Sequence, residues 1–380
     1  MENNNPNTEK NLVKLASLFF RLGLTAFGGP AAHIAMMEDE VVEKRKWMSR
    51  EHFLDLVGAT NLIPGPNSTE MVMHTGMHYG GIPGLFIAGI CFIFPAAVLT
   101  GILGWFYKSY GELPAVAPFL MGIKPAVLAI ILAAVIKLGK KALKKHAYAI
   151  LGLLVIVAAL WGINEVVAIL AGGLIGMLAI QLVNRFWLNT TPLLFPLILP
   201  LLQAKAFSLP KLFLVFLKIG AILFGSGYVL VAYLEGELVD KLGWLTQQQL
   251  LDAIAAGQFT PGPVLTTSTF IGYQVGGFSG AVLATLGIFL PSFLFVAILN
   301  PLIPRLRKST WAGAFLDAVN VSAVGIMAAV LLKLGYHTLV DWRSGVIAAL
   351  AVGVTFGFQK VSSMWVVIGG AVLGYLLGLF

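Results

Sequence analysis

The chain has 380 residues, 58% hydrophobic and 11% charged, with a mean hydropathy of +0.89. A soluble domain carries about 25% charged residues, so this composition excludes a soluble globular protein and predicts an all-α polytopic membrane protein; no stretch alternates as outer-membrane barrel strands do. The net charge of +8 calls for no nucleic acid, because most Lys and Arg fall in short loops between apolar segments, where they set orientation in the bilayer.

In chain order, residues 1–11 are polar and Asn-rich, lack the regions of a signal peptide, and are expected to be disordered. A first helix is predicted over about 12–35, interrupted or ended near Gly28-Gly29-Pro30, followed by a charged loop from Glu38 to Arg50. Two shorter segments, about 51–63 and 67–80, are split by Pro64-Gly65-Pro66. Long apolar helices follow over about 82–107, 116–137, 147–161 and 164–184. Residues 186–210 form an apolar linker broken by Pro196 and Pro200. Beyond it come segments at about 211–233, 247–260, 264–276, 279–303, 313–334, 344–358 and 362–379. Cys91 is the only cysteine, so no internal disulfide forms; in its apolar run it reads as inert packing.

The second set of segments copies the first. Phe27-Gly28-Gly29, Trp47 and Pro64-Gly65-Pro66 recur as Phe224-Gly225-Ser226, Trp244 and Pro261-Gly262-Pro263, each 197 positions later. Glu38 and Glu235, Asp55 and Asp252, and Gly23 and Gly220 keep that separation. Past the Pro-Gly-Pro it becomes 196, which pairs Gly76 with Gly272, Pro95 with Pro291 and Gly139 with Gly335. A fixed long period means two copies of one unit, here 12–185 and 211–380. Membrane proteins built this way commonly place a transport pathway between the halves.

Two prolines around a glycine break a helix, because proline removes a donor and pushes the preceding residue out of helical geometry. The flanking pieces, about 13 residues or roughly 20 Å each, fall short of the ~30 Å hydrocarbon core. Each pair is therefore expected to form a re-entrant hairpin, tolerated at membrane depth only where it is buried in protein or lines a wet cavity. With five crossings besides the hairpin, each repeat inverts the next. Loop charge agrees. Lys44, Arg45, Lys46 and Arg50, and Lys137 to Lys145, make two loops of the first copy basic, hence cytoplasmic; in the second copy the Glu235–Asp240 loop is acidic and the loop with Arg305, Arg307 and Lys308 is basic. Against this stands an external N-terminus carrying Lys10 and Lys14.

Phe27-Gly-Gly-Pro30, Asn61-Leu-Ile-Pro-Gly-Pro-Asn67, Gly122-Ile-Lys-Pro125, Gly257-Gln-Phe-Thr-Pro-Gly-Pro263 and Asp317-Ala-Val-Asn320 together resemble the chromate ion transporter family, over nearly the whole chain and in its fused, two-domain form. The resemblance implies export of chromate across the inner membrane, sulfate as competitor or alternative substrate, and energy from the proton gradient. A homodimer is left open.

A tetrahedral dianion in a low-dielectric layer needs donors and positive potential, which helix starts supply. Asn67, Ser68 and Thr69 begin the arm after the first Pro-Gly-Pro; Thr266, Thr267, Ser268 and Thr269 lie in the equivalent place in the second. Together they could cradle the anion; alternatively they cap or pack the helices. Gly28, Gly29, Gly225 and Ser226 offer a second backbone surface, or close helix packing. Asn61 and Gln258 are matched amides before each break. Lys124, whose repeat mate is Asn320, either faces the anion or snorkels to the interface. Arg21 and Lys218 are matched cations, and Glu70 is a candidate proton carrier or partner for Arg21. His74 and His78 share a helical face but lack further ligands, so no metal is expected. No nucleotide or cofactor motif is present, and an ATP-driven pump is not expected. The expected function is a secondary active oxyanion transporter; the alternatives are a passive channel and a membrane-embedded redox enzyme.

Overall fold

The structure, a computed structural model, describes residues 11–27, 29–60, 63–143, 146–185, 207–224, 227–299, 310–358 and 361–378. The described residues are helical and contain no strand. Helix α1 spans Leu12–Thr25 and starts where the Asn11 side chain accepts from the Val13 and Lys14 amides. After a break at Ala26 and Phe27, α2 (Gly29–Glu38) passes directly into a π-helical turn, Asp39–Lys44. The expected loop from Glu38 is thus helical for most of its length. Helix α3 (Arg50–Thr60) and α4 (Asn67–Tyr110) flank the Pro-Gly-Pro, and α5 (Ala117–Ala142), α6 (His146–Leu160) and α7 (Glu165–Arg185) complete the first half.

The second half repeats the order: α8 (Leu209–Ile222), a break, α9 (Leu230–Leu234) running into a π turn at Glu235–Lys241, α10 (Gln247–Phe259), a 3-10 turn at Val264–Thr266, α11 (Thr267–Leu299), α12 (Thr310–Thr338), α13 (Trp342–Gly357) and α14 (Ser363–Gly378). Small details recur with it. The Trp47 amide donates to Val41 and the Trp244 amide to Leu238, both at 2.8 Å. Ser49 caps α3 through the His52 amide, and Thr246 caps α10 through Gln249.

Helices α4 and α11 each bend sharply at one glycine. Gly81 (φ 66°, ψ −154°) and Gly277 (φ 62°, ψ −153°) share a conformation that side chains rarely adopt. The bend lays the arm after each Pro-Gly-Pro back against the following helix: a Cβ on Gly76 would lie 2.6 Å from Ala88 Cβ, and one on Gly272 2.7 Å from Ala284 Cβ. Small residues let the two backbones approach this closely.

Packing is partly exchanged between the halves. Helix α1 lies on α4 and α8 on α11, and α4 and α11 pack on each other. The α6–α7 pair of the first half packs on α12 of the second, while α13 and α14 pack on α5 of the first. Four helical stretches are long and apolar enough to cross a membrane: Asn67–Tyr110, Ala117–Ala142, Val264–Ile298 and Gly313–Thr338. Tyr148–Leu160, Glu165–Leu178, Trp342–Gly357 and Ser363–Gly378 are apolar but shorter. The chain is a polytopic α-helical membrane protein.

Candidate functional site

Four breaks in the helical backbone meet at the centre. The Gly65 amide, between Pro64 and Pro66, donates to the carbonyl of Leu223 at 2.7 Å, where α8 has just ended. The Gly262 amide, between Pro261 and Pro263, donates to the carbonyl of Ala26 at 2.9 Å, where α1 has just ended. Each Pro-Gly-Pro is thus tied to the broken first helix of the other half. Gly29, which opens α2 at φ 76°, sits against the second break: a Cβ there would lie 2.5 Å from the Tyr228 hydroxyl oxygen. Such irregular backbone persists inside a membrane protein because neighbouring chain satisfies it.

The arms after the breaks carry their hydroxyls inward. Ser68, Thr69, Thr266, Thr267 and Ser268 are at most 2% exposed. They do not cap their own helices. Pro66, which precedes α4, has no capping side chain, while Thr266 and Thr267 donate back to the Pro263 and Val264 carbonyls at 2.9 and 2.8 Å. The first amides of a helix have no acceptor within it, so both arm starts keep a donor-rich, electropositive tip. Thr100, from α4, bridges to the Thr266 and Thr260 hydroxyls at 3.1 and 3.3 Å.

The matching place in the other half is different. Glu70, the repeat mate of Thr266, is fully buried, and neither carboxylate oxygen has a hydrogen-bond partner among the described residues; the Thr69, Ser268 and Ser292 hydroxyls are likewise buried without one. Gly65 is what makes room there: a Cβ on it would lie 2.8 Å from Ser292 Oγ and would collide with Glu70 Oε1. Ser292 comes from α11, so the pocket around Glu70 is shared between halves.

His33 joins the elements, and sequence reasoning missed it. Its Nε2 lies 3.0 Å from the Ala26 carbonyl and its Nδ1 3.3 Å from Ser68 Oγ. A carbonyl only accepts, so Nε2 carries the proton and Nδ1 accepts from the Ser68 hydroxyl. One path of hydrogen bonds therefore runs from the first polar arm through His33 to the Ala26 carbonyl that also holds Gly262. No sequence spacing signals this; Thr100, Thr260 and Ser292 were missed for the same reason.

Lys124, Arg21 and Lys218 find their partners away from this centre. Lys124 lies 2.9 Å from Gln248 Oε1 and 3.6 Å from Asp252, which also accepts from Tyr107 at 2.7 Å. Asp252 is nine residues before Pro261, roughly 13 Å along the helix. Asn320 is half-buried on α12. Gln258 is buried near the end of α10. Arg21 pairs with Glu40 at 2.8 Å and not with Glu70. Its mate Lys218 pairs with Glu237, the mate of Glu40, and Lys44 and Lys241 complete the same triad on each side at 3.1 and 3.6 Å. In the turn after α2, burial raises the Glu40 carboxyl, but Lys44 and Arg21 outweigh it and hold it below the ordinary carboxylate value. The residues Gly28, Asn61, Gly225 and Ser226 lie outside the described residues, as do 1–10 and 186–206.

Comparison with known proteins gives the same picture of a doubled chain. The family profile described as chromate transporter matches residues 13–177 and again 210–375, starting 197 positions apart. The chain is 31% identical over 351 residues to the probable chromate transport protein of Synechococcus elongatus, covering 90% of this chain and 89% of that one. It is 30% identical over 372 residues to the chromate transport protein of Cupriavidus metallidurans, covering 96% and 92%. To the chromate transport protein of Pseudomonas aeruginosa it is 29% identical over 387 residues, again covering 96% and 92%. No solved structure matches.

Proposed function

The chain belongs to the chromate transporter family, and from that premise we propose that it carries chromate across the cytoplasmic membrane as a secondary active transporter, in the direction of export. The observation that carries this reading is the exchanged pair of hydrogen bonds, Gly65 to Leu223 and Gly262 to Ala26. They hold two electropositive helix starts around one central volume, each start braced by the opposite half.

The two halves are inverted-topology repeats, 12–185 and 211–380, each with a re-entrant Pro-Gly-Pro hairpin. Loop charge supports this. Thr69 and Ser268, whose hydroxyls have no partner among the described residues, supply donors to the oxyanion, Ser68, Thr266 and Thr267 join them by releasing their present acceptors, the helix starts supply positive potential, and no fixed cation is needed in contact with it. Asn67, Gln258 and the described glycines Gly29, Gly65 and Gly262 line the same volume. A site built on geometry and hydrogen bonds takes sulfate as well as chromate, since both are tetrahedral dianions.

Glu70 is the coupling group. A carboxylate with no partner in a buried site is expensive when ionised, so it takes up a proton when sealed from water and gives it up when exposed. That supports coupling of the anion to the proton gradient. Uptake into everted vesicles, comparing chromate with sulfate and with or without an imposed proton gradient, tests the reading. Gradient-dependent accumulation of chromate is expected. Equilibration without accumulation would instead mark a passive channel, and no protein-dependent chromate flux would end the proposal.

A further inference from the structure

Repeat mates in this structure share their short-range details but not their long-range charge pairing. Lys333, near the end of α12, lies 2.7 Å from Asp240 and 3.4 Å from Glu235. Glu165, at the start of α7, brings a third carboxylate into the same cluster, with ligand atoms of all three acids within 4.8 Å of one another. Glu235 is fully buried there. The mates of Lys333, Glu235 and Asp240 are Lys137, Glu38 and Glu43, at separations of 196, 197 and 197. Lys137 and Glu43 are exposed, and Glu38 is 26% exposed and held by Arg50 at 3.0 Å.

The helices around these groups differ in the same sense. Helix α9 packs on α7 and α12, and α10 on α5 and α14, so the second half's broken elements are clasped by the distal helices. Their counterparts α2 and α3 pack on each other and on α4. The triad cations follow: Arg21 and Lys44 are 54% and 58% exposed, beside a cavity of about 320 Å³ lined also by Thr25, Met36, Asp39 and Glu40, whereas Lys218 and Lys241 are 40% and 36% exposed.

We propose that Lys333 with Glu235, Asp240 and Glu165 is a charge latch that closes one face of the transporter, and that the chain carries a second latch, now open, in which Lys137 closes on Glu38 and Glu43 at the opposite face. The proposal rests on the inverted-repeat transport reading. Two copies of one unit have the same two conformations available, and inversion puts equivalent ends on opposite faces. The structure holds one copy in the clasped form and the other in the splayed form. Exchanging the two forms seals the Lys137 face and frees Lys333, which moves access to the central site from one side to the other. In the exchange Glu235 becomes exposed and Glu38 buried.

Cysteine pairs in the full-length protein, in a Cys91→Ser background and reconstituted in liposomes, test this. Asp240→Cys with Lys333→Cys should be joined by a short bifunctional thiol reagent without substrate, and Glu43→Cys with Lys137→Cys only when chromate is being transported. Either cross-link should abolish flux, and reduction of a cleavable cross-link should restore it. Joining of the 43–137 pair as fast without substrate as with it, or never during active transport, overturns the latch. If a paired variant fails to fold, the single variant Glu43→Cys gives the second readout. Its labelling by an impermeant maleimide should slow at least threefold during chromate transport; an unchanged rate overturns the proposal. Wild-type protein that moves no chromate would sink the transport reading instead, so the two failures are distinct.

Discussion

Gly65 donates its amide to the carbonyl of Leu223, and 197 positions on Gly262 donates to Ala26. Neither bond lies within one half, so the breaks cannot relax independently. Gly262 tests this, because its φ of 85° disfavours a side chain and a Cβ would sit 2.6 Å from Ala96 Cβ. Gly262→Ala should cost about 2 kcal/mol or more and abolish flux, whereas Gly345→Ala, where a Cβ meets nothing, should be neutral. Thermal unfolding in detergent with vesicle uptake checks both.

Glu70→Gln keeps the shape of a side chain whose oxygens have no hydrogen-bond partner among the described residues. Among the described residues it removes the only carboxylate at this centre, since the mate position is Thr266. The protein should fold at wild-type yield, keep chromate flux down its own gradient, and lose stimulation by a proton gradient. Wild-type stimulation in the variant would remove Glu70 from coupling.

His33→Ala removes the link between Ser68 and the Ala26 carbonyl. Leaving buried polar groups without partners costs about 1–3 kcal/mol. Flux should fall at least tenfold, and Ser68→Ala should give a smaller loss, because the ring still bonds to Ala26. Wild-type flux in His33→Ala would show that the path through the ring has no role.

How much of this could be read beforehand follows from the kind of interaction. The 197-residue period, the breaks before Gly29 and at Pro64-Gly65-Pro66, and the polar arm starts are local, so composition and spacing expose them. The hydrogen bonds from Gly65 to Leu223 and from Gly262 to Ala26 are backbone to backbone, and every residue but proline has an amide, so no side chain advertises them. The triad Arg21, Glu40 and Lys44 recurs at its offset as Lys218, Glu237 and Lys241, yet only the Glu40–Lys44 spacing is helical; Arg21 reaches it through the fold. Lys124 looked like an anion ligand because it is a cation in an apolar helix. Its partner Asp252 lies 128 positions away, and only packing of α5 on α10 reveals the pairing.

That pairing changes what Lys124→Ala should do. Asp252 is almost fully buried, so removing the lysine leaves its carboxylate, among the described residues, with Tyr107 alone. Losing one partner of a buried pair costs about 3–5 kcal/mol, and the single variant should be destabilised as well as inactive. Adding Asp252→Asn should recover most of the stability. Recovery of flux in the double variant would show that the lysine serves packing of α5 on α10, while continued inactivity with restored stability would place it in the pathway.

The sidedness of the two π turns decides the inversion. Each turn carries the same triad at the end of a broken helix, and charged clusters of this kind sit at a membrane face because burial of their exposed cations in hydrocarbon is costly. If both halves faced the same way, the Asp39–Lys44 and Glu235–Lys241 turns would share a compartment. The inverted arrangement separates them by the full bilayer, with the basic first loop inside. Lys46→Cys and Asp240→Cys, each alone in a Cys91→Ser background, occupy exposed positions. An impermeant maleimide should label Lys46→Cys in everted vesicles and Asp240→Cys in right-side-out vesicles. Labelling of both in one preparation would place the two triads on one face, and with that the crossed helix starts, the shared anion volume and the paired latches would lose their common basis.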